Sequence, residues 1–176
     1  MPPKGMPGMR GTQHIGITVP DVDEAVDFFV NVMGGESFFS IGPFGPFDDD
    51  WMTENLNVHP QAVIETARLV KCKNGPAFEI FKYTSPDQTT AFPKNSDIGG
   101  YHVAFYVDDI DVATQYLRDQ GIKVLGEPNS LPGTPWEGLR WVYFLAPWGM
   151  QMELVSSPGE LAYEKTTDKR LWDPRD

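Results

Sequence analysis

The sequence predicts an α+β domain of two βαβββ modules related by a pseudo-two-fold. Three observations predict it: an internal repeat, the same order of strand and helix patterns in both copies, and a glutamate at the same place near the end of each. In the repeat, His14-Ile-Gly-Ile-Thr-Val19-Pro-Asp21-Val22-Asp23-Glu-Ala25 lies over His102-Val-Ala-Phe-Tyr-Val107-Asp-Asp109-Ile110-Asp111-Val-Ala113 at a constant offset of 88. His, Val, both Asp and Ala are identical, and Val22/Ile110 and Phe28/Tyr116 are similar.

Each copy opens with a strand. Ile15, Ile17 and Val19 alternate with His14, Gly16 and Thr18, and Val103, Phe105 and Val107 alternate with His102, Ala104 and Tyr106. That is the period-two pattern of a half-buried strand, and it puts both histidines on the more polar face. A helix follows in each, with Asp21 or Asp109 as N-cap and apolar residues at helical spacing: Val22, Ala25, Val26 and Phe29, then Ile110, Ala113, Tyr116 and Leu117. Gly34 and Gly121 stop the helices. Three strands complete each module: 37–41, 62–72 and 77–83 in the first, 123–126, 139–145 and 150–155 in the second. Asn74-Gly75 and Trp148-Gly149 precede the closing strands, and four residues after each glycine stands a glutamate, Glu79 or Glu153.

The modules span 12–84 and 100–156 within one domain, 12–156. An insertion of about fourteen residues lengthens the first, in the Gly/Pro/aromatic/acidic stretch 41–61, where a helical turn is expected. Residues 1–11 read as a flexible N-terminal arm, and 157–176 as a polar tail with Trp172 as its docking residue.

A chain of 176 residues with 40% hydrophobic and 12% aromatic side chains has the material for one packed core. Its net charge of −11 repels polyanions, which excludes nucleic acid as the expected partner. One cysteine, Cys72, forms no intramolecular disulfide and reads as a small core residue. The N-terminus lacks the apolar stretch of a signal peptide, and no apolar run approaches the ~20 residues that span a bilayer. A cytoplasmic protein without membrane contact is expected.

Two histidines and two glutamates thus occupy matching places in matching modules. Taken singly, a strand histidine is usually a satisfied core or surface residue, and a strand glutamate is usually solvated. Recurrence in register alters that balance, because carboxylates set in apolar strands are costly unless a cation or hydrogen bonds offset them. Imidazole and carboxylate together are ligands for a divalent first-row metal.

HIGITVPDVDEAVDFF, NGPAFEIFKY, YHVAFYVDDIDVATQYLRDQG and YFLAPWGMQMELV open and close the two modules. In these segments the chain resembles the vicinal oxygen chelate superfamily over residues 12–156. That group includes glyoxalase I, methylmalonyl-CoA epimerase, extradiol dioxygenases, and fosfomycin- and bleomycin-resistance proteins. The resemblance implies a fold of the glyoxalase/bleomycin resistance/dihydroxybiphenyl dioxygenase type and one divalent ion per chain, Mn, Fe, Co, Ni or Zn, on His14, Glu79, His102 and Glu153. It also implies a homodimer. In glyoxalase I the ligand glutamates double as proton shuttles, which makes Glu79 and Glu153 the candidate catalytic residues.

Where that enzyme has glutathione-contacting residues, Thr18 and Tyr83 stand here, so glutathione is not the expected cosubstrate. The extradiol signature is half present: Tyr143 to Gly149 fits its closing part, but Thr134, Pro135 and Trp136 stand where its opening histidine would fall. The expected activity is an isomerase, epimerase or lyase working by proton transfer beside a metal-bound oxygen of a small substrate. The alternatives are an extradiol-type ring-cleaving dioxygenase and a small-molecule-binding protein of the resistance type.

Phe81, Tyr83 and Tyr106 share strand faces with the proposed ligands and are candidate substrate-binding residues. Trp51, Trp136 and Arg140 are further candidates, and Phe44, Phe47 and Trp148 sit in or beside the same loops. Loop aromatics of this kind serve as an apolar lid or as local packing. Arg140 reads either as an anchor for a substrate anion or as a surface ion pair. His59 is expected to be a solvated loop residue. Asp48-Asp49-Asp50 is expected to be a solvated turn, since it lacks the ligand spacing and glycine of a calcium loop.

Overall fold

The computed structural model describes residues 5–175, so the predicted arm over 1–11 falls partly outside the described residues; 5–11 are exposed. The chain divides into two compact units, 1–88 and 89–176, and each contains one four-stranded sheet.

In the first unit β1 (His14–Thr18) leads into α1 (Val22–Asp27), and β2 (Glu36–Ile41), α2 (Trp51–Leu56), β3 (Val63–Lys71) and β4 (Ala77–Thr84) follow. The sheet order is β1-β4-β3-β2, with β1 parallel to β4 and the other pairs antiparallel. Asp21 caps α1 in extended backbone, accepting the amides of Asp23 and Glu24 at 2.9 and 3.0 Å. These bonds satisfy orphan donors of the first turn.

The helix does not stop at its α-helical end but widens into a π-helical stretch, Phe28–Val32, in which the Met33 amide reaches back to the Phe28 carbonyl at 3.1 Å. Phe28 and Phe29 both enter the core there, and Phe29 stacks on Phe78 at 4.7 Å. Gly35 closes the turn where a Cβ would meet the Phe29 carbonyl at 2.9 Å and the Cys72 sulfur at 3.0 Å. Cys72, expected as a small core residue, is half-buried, and burial pushes its thiol up to about 11.

The second unit repeats the plan. β5 (Val103–Tyr106), α3 (Ile110–Asp119), β6 (Lys123–Ser130), β7 (Arg140–Leu145) and β8 (Gln151–Ser156) give the sheet order β5-β8-β7-β6, with β5 parallel to β8. Asp109 caps α3 as Asp21 caps α1, accepting the amides of Asp111 and Val112 at 3.0 and 3.1 Å. β6 runs four residues past the expected end at Gly126, because pairing with β7 resumes at Asn129 after an irregularity that takes up Gly126 and Pro128. In β7 and β8 the alternation is plain: Val142, Phe144, Met152 and Leu154 are buried, while Trp141, Tyr143 and Glu153 face the other side.

The tail docks, though not through Trp172, which is 63% exposed. Leu161 is the buried residue, and the amides of Ala162 and Tyr163 bond the carbonyls of Glu137 and Pro135 at 2.9 and 3.0 Å. Further on, the Arg175 guanidinium lies 4.8 Å over the Tyr106 ring. A large indole at an exposed chain end has little to bury against, whereas Leu161 follows β8 closely and lies against the 131–139 loop beside Gly138.

Candidate functional site: a His–Glu pair in each module

The ligand geometry begins with register. β1 and β4 run parallel with Gly16 opposite Glu79, and β5 and β8 run parallel with Ala104 opposite Glu153. The histidine stands two residues before the small residue in each case, on the same strand face, so its ring leans along the sheet toward the carboxylate. Gly16 and Ala104 leave that space open. His14 Nε2 lies 3.4 Å from Glu79 Oε2, and His102 Nε2 lies 3.0 Å from Glu153 Oε2. The predicted residues are therefore brought together as one His–Glu pair within each unit. Among the described residues, no three His, Cys, Asp or Glu side chains gather as a metal-binding cluster.

The donor chemistry of each pair fits a divalent ion. An imidazole Nε2 and a carboxylate oxygen converge on one point from neighbouring strands, with the apolar sheet face behind them. In the first unit His14 Nδ1 is bonded to the side-chain oxygen of Gln13, which leaves Nε2 turned toward Glu79. In the second, the His102 ring meets Tyr143 edge-on, with centroids 5.1 Å apart. Tyr143 pairs directly with Glu153 across β7 and β8. The Glu153 side chain is 12% exposed, and burial raises its pKa against the opposing pull of His102. Burial also raises the Tyr143 phenol, with the nearby Glu153 charge adding to it.

Among the candidate substrate-binding residues, Phe81 and Tyr83 continue the Glu79 face of β4, half-buried and with rings 5.5 Å apart. The Tyr83 phenol is raised by burial and then by the Glu79 charge. Tyr106 continues the Ala104 face of β5; its hydroxyl donates to the Ser157 carbonyl at 3.2 Å and its ring lies under Arg175. Trp136 is 43% exposed in a turn of the second unit.

Trp51 forms a three-ring cluster with Phe44 and Phe47, with centroids 4.9 to 5.4 Å apart, so these loop aromatics pack on one another. Arg140 is spent on Asp111 through two bonds of 2.5 and 2.8 Å, which depress the Asp111 carboxylate. It is the surface ion pair rather than the anion anchor. His59, expected to be solvated, is half-buried in its loop, where its Nδ1 accepts the Gln61 amide. Gln13 and Tyr143, which touch the two histidines, were not candidates on sequence. Tyr143 entered only as the first residue of the Tyr143–Gly149 segment, its place opposite Glu153 depending on the β7–β8 register, and Gln13 only as the start of a strand.

Comparison with known proteins places the fold in a family. Residues 13–136 match the model of the Glyoxalase/Bleomycin resistance protein/Dioxygenase superfamily, and the chain belongs to that family. It is 43% identical over 174 residues to a 2-epi-5-epi-valiolone epimerase from Actinomyces sp, covering 97% of this chain and 92% of the relative. It is also 28% identical to the mitochondrial methylmalonyl-CoA epimerase of Bos taurus, over 65% of this chain and 56% of that one. A glyoxalase family protein from Bacillus cereus shares the fold with a TM-score of 0.65 at 18% identity, over 88% of this chain and 100% of its own. No helix among the described residues is long and apolar enough to cross a membrane.

Proposed function

We propose that the chain is a divalent-metal-dependent epimerase acting on 2-epi-5-epi-valiolone or a close structural relative of it. The observation that supports this most is the recurrence of one facing His–Glu pair in each module of a chain 43% identical to such an epimerase. In this reading His14, Glu79, His102 and Glu153 hold one Mn, Fe, Co, Ni or Zn ion per chain. When bound, the ion supplies positive charge that favours the negative oxygen formed as a neighbouring carbon loses its proton.

The rest is assigned to side chains of the chain itself. One of Glu79 and Glu153 takes the proton from one face of the carbon, and the other returns a proton to the opposite face. One C–H bond breaks, one forms, and nothing is oxidised. Such acid–base work contributes roughly 10²- to 10⁴-fold. Phe81, Tyr83 and Tyr106 are assigned to the substrate wall because they continue the ligand faces of their strands, and Trp136 to its rim. The protein is proposed to act as a homodimer in the cytoplasm.

The test is to strip the purified protein of metal, reload it with each of the five ions in turn, and follow 2-epi-5-epi-valiolone by NMR. Appearance of an epimer with at least one ion is expected. Tight binding without turnover under every ion would replace this reading with a binding protein, and ring cleavage of catechols with Fe(II) and oxygen would replace it with a dioxygenase.

A further inference from the structure

The two modules repeat their ligands but not what stands behind them. In the first, Gln13 directly precedes β1, and its carbonyl accepts the Ala77 amide at 3.2 Å, tying it to the strand that carries Glu79. Its side-chain oxygen, which can only accept, is in hydrogen-bond contact with His14 Nδ1. At the repeat-equivalent place in the second module stands Tyr101, which has no amide to offer. That module instead has Tyr143, opposite Glu153, set edge-on to His102 with an interplanar angle of 78° and backed by Trp141 at 5.1 Å. The residue opposite Glu79 in the first module is Leu69, which has no ring. Each module therefore lacks the other's device.

We propose that Gln13 and Tyr143 are positioning residues that fix the two ligand imidazoles by different means, Gln13 by accepting the Nδ1–H of His14 and Tyr143 by walling the ring of His102. This deepens the metal reading above and rests on it. A histidine that ligates through Nε2 must keep its proton on Nδ1, and a fixed acceptor there selects that tautomer. A ring held edge-on against the imidazole does not choose a tautomer but restricts rotation about χ2, so the Nε2 of His102 stays aimed at Glu153.

The experiment titrates the metal-free protein with Co²⁺ by calorimetry and records side-chain ¹⁵N spectra of the histidines with Zn²⁺ bound. Gln13→Leu should weaken Co²⁺ binding about 10- to 100-fold, the usual effect of losing a group that orients a ligand. Gln13→Glu, which keeps the acceptor, should bind as the wild type does. Tyr143→Leu, which installs the residue of the first module, should weaken binding, and Tyr143→Phe should not.

With Zn²⁺ bound, the Nδ1 proton of His14 should exchange slowly with solvent in the wild type and faster in Gln13→Leu, with that of His102 unmoved. Circular dichroism and melting of the metal-free variants should match the wild type. A wild type that binds Co²⁺ while Gln13→Leu and Tyr143→Leu bind it equally well overturns this inference alone. A wild type that takes up none of the five ions overturns the metal reading and this inference with it.

Discussion

Exchanging Glu153 for glutamine removes a basic carboxylate while keeping its shape and one oxygen. In the structure that carboxylate is 12% exposed and lies 3.0 Å from His102 Nε2, so the amide has room to sit in the same place with its oxygen toward the imidazole. Metal content should therefore be retained. If Glu153 is one of two acid–base groups, turnover should fall by ~10²- to 10⁴-fold, equivalent to about 2.7–5.4 kcal/mol of lost transition-state stabilisation at ~1.36 kcal/mol per tenfold. Glu79→Gln should lose turnover in the same range.

The two variants should then differ in a way that reveals the faces. Each should still exchange the proton of one epimer with solvent while failing to convert it, and the epimer that exchanges should be opposite in the two. The assay is NMR of both epimers in heavy water, with melting curves as a control on folding. If both glutamine variants hold metal and turn over at the wild-type rate, the carboxylates are not the acid–base pair. An arrangement needing only His14, His102 and Glu153 as ligands would then explain the site better.

Other perturbations should act through separate causes. His102→Ala should lose metal and activity together, as shown by elemental analysis, because alanine offers no donor. Chelation of the wild type should lower its melting temperature, since an ion bound only to the native state adds to folding free energy; a melt with and without chelator checks this. Asp109→Ala removes both caps of α3 and should cost about 0.5–2 kcal/mol in denaturant unfolding, whereas Asp109→Asn, which still accepts, should cost little. Arg140→Gln should leave the kinetic constants unchanged, because its guanidinium is committed to Asp111 at the surface. With Thr18 and Tyr83 in place of glutathione contacts, the hemithioacetal of methylglyoxal should be turned over with kcat/KM below ~10⁴ M⁻¹s⁻¹ in a spectrophotometric assay.

Much of the fold was legible because local signals agreed with one another. Asp21 and Asp109 announced their helices, the alternation around Ile17 and Phe105 announced strands, and the recurrence of His14 at His102 announced that the plan is used twice. The repeat singled out His14, Glu79, His102 and Glu153 as a set; that they meet as one His–Glu pair in each module depends on the parallel pairings that set Gly16 beside Glu79 and Ala104 beside Glu153. What could not be read depends on partners distant in sequence. The π-helical stretch at Phe28–Val32 reflects two adjacent phenylalanines both being buried, one of them on Phe78, which no periodicity encodes. The extension of β6 to Ser130 depends on its register with β7, and the docking of Leu161 on the 131–139 loop. Arg140 and Trp51 have chemistry that suits either a site or a surface, and only their neighbours, Asp111 and the Phe44–Phe47 rings, decide.

The central claim is that this chain moves a proton at one carbon of a small carbonyl substrate. Deuterium wash-in measures it most directly: metal-loaded protein and 2-epi-5-epi-valiolone are incubated in heavy water, and the product is examined carbon by carbon. The account predicts one deuterium per turnover, at the inverted centre only, and none when the protein has been stripped of metal. Epimerisation with the original hydrogen retained in every product molecule and no exchange into recovered substrate, or substrate bound but never exchanged under any ion, would contradict it.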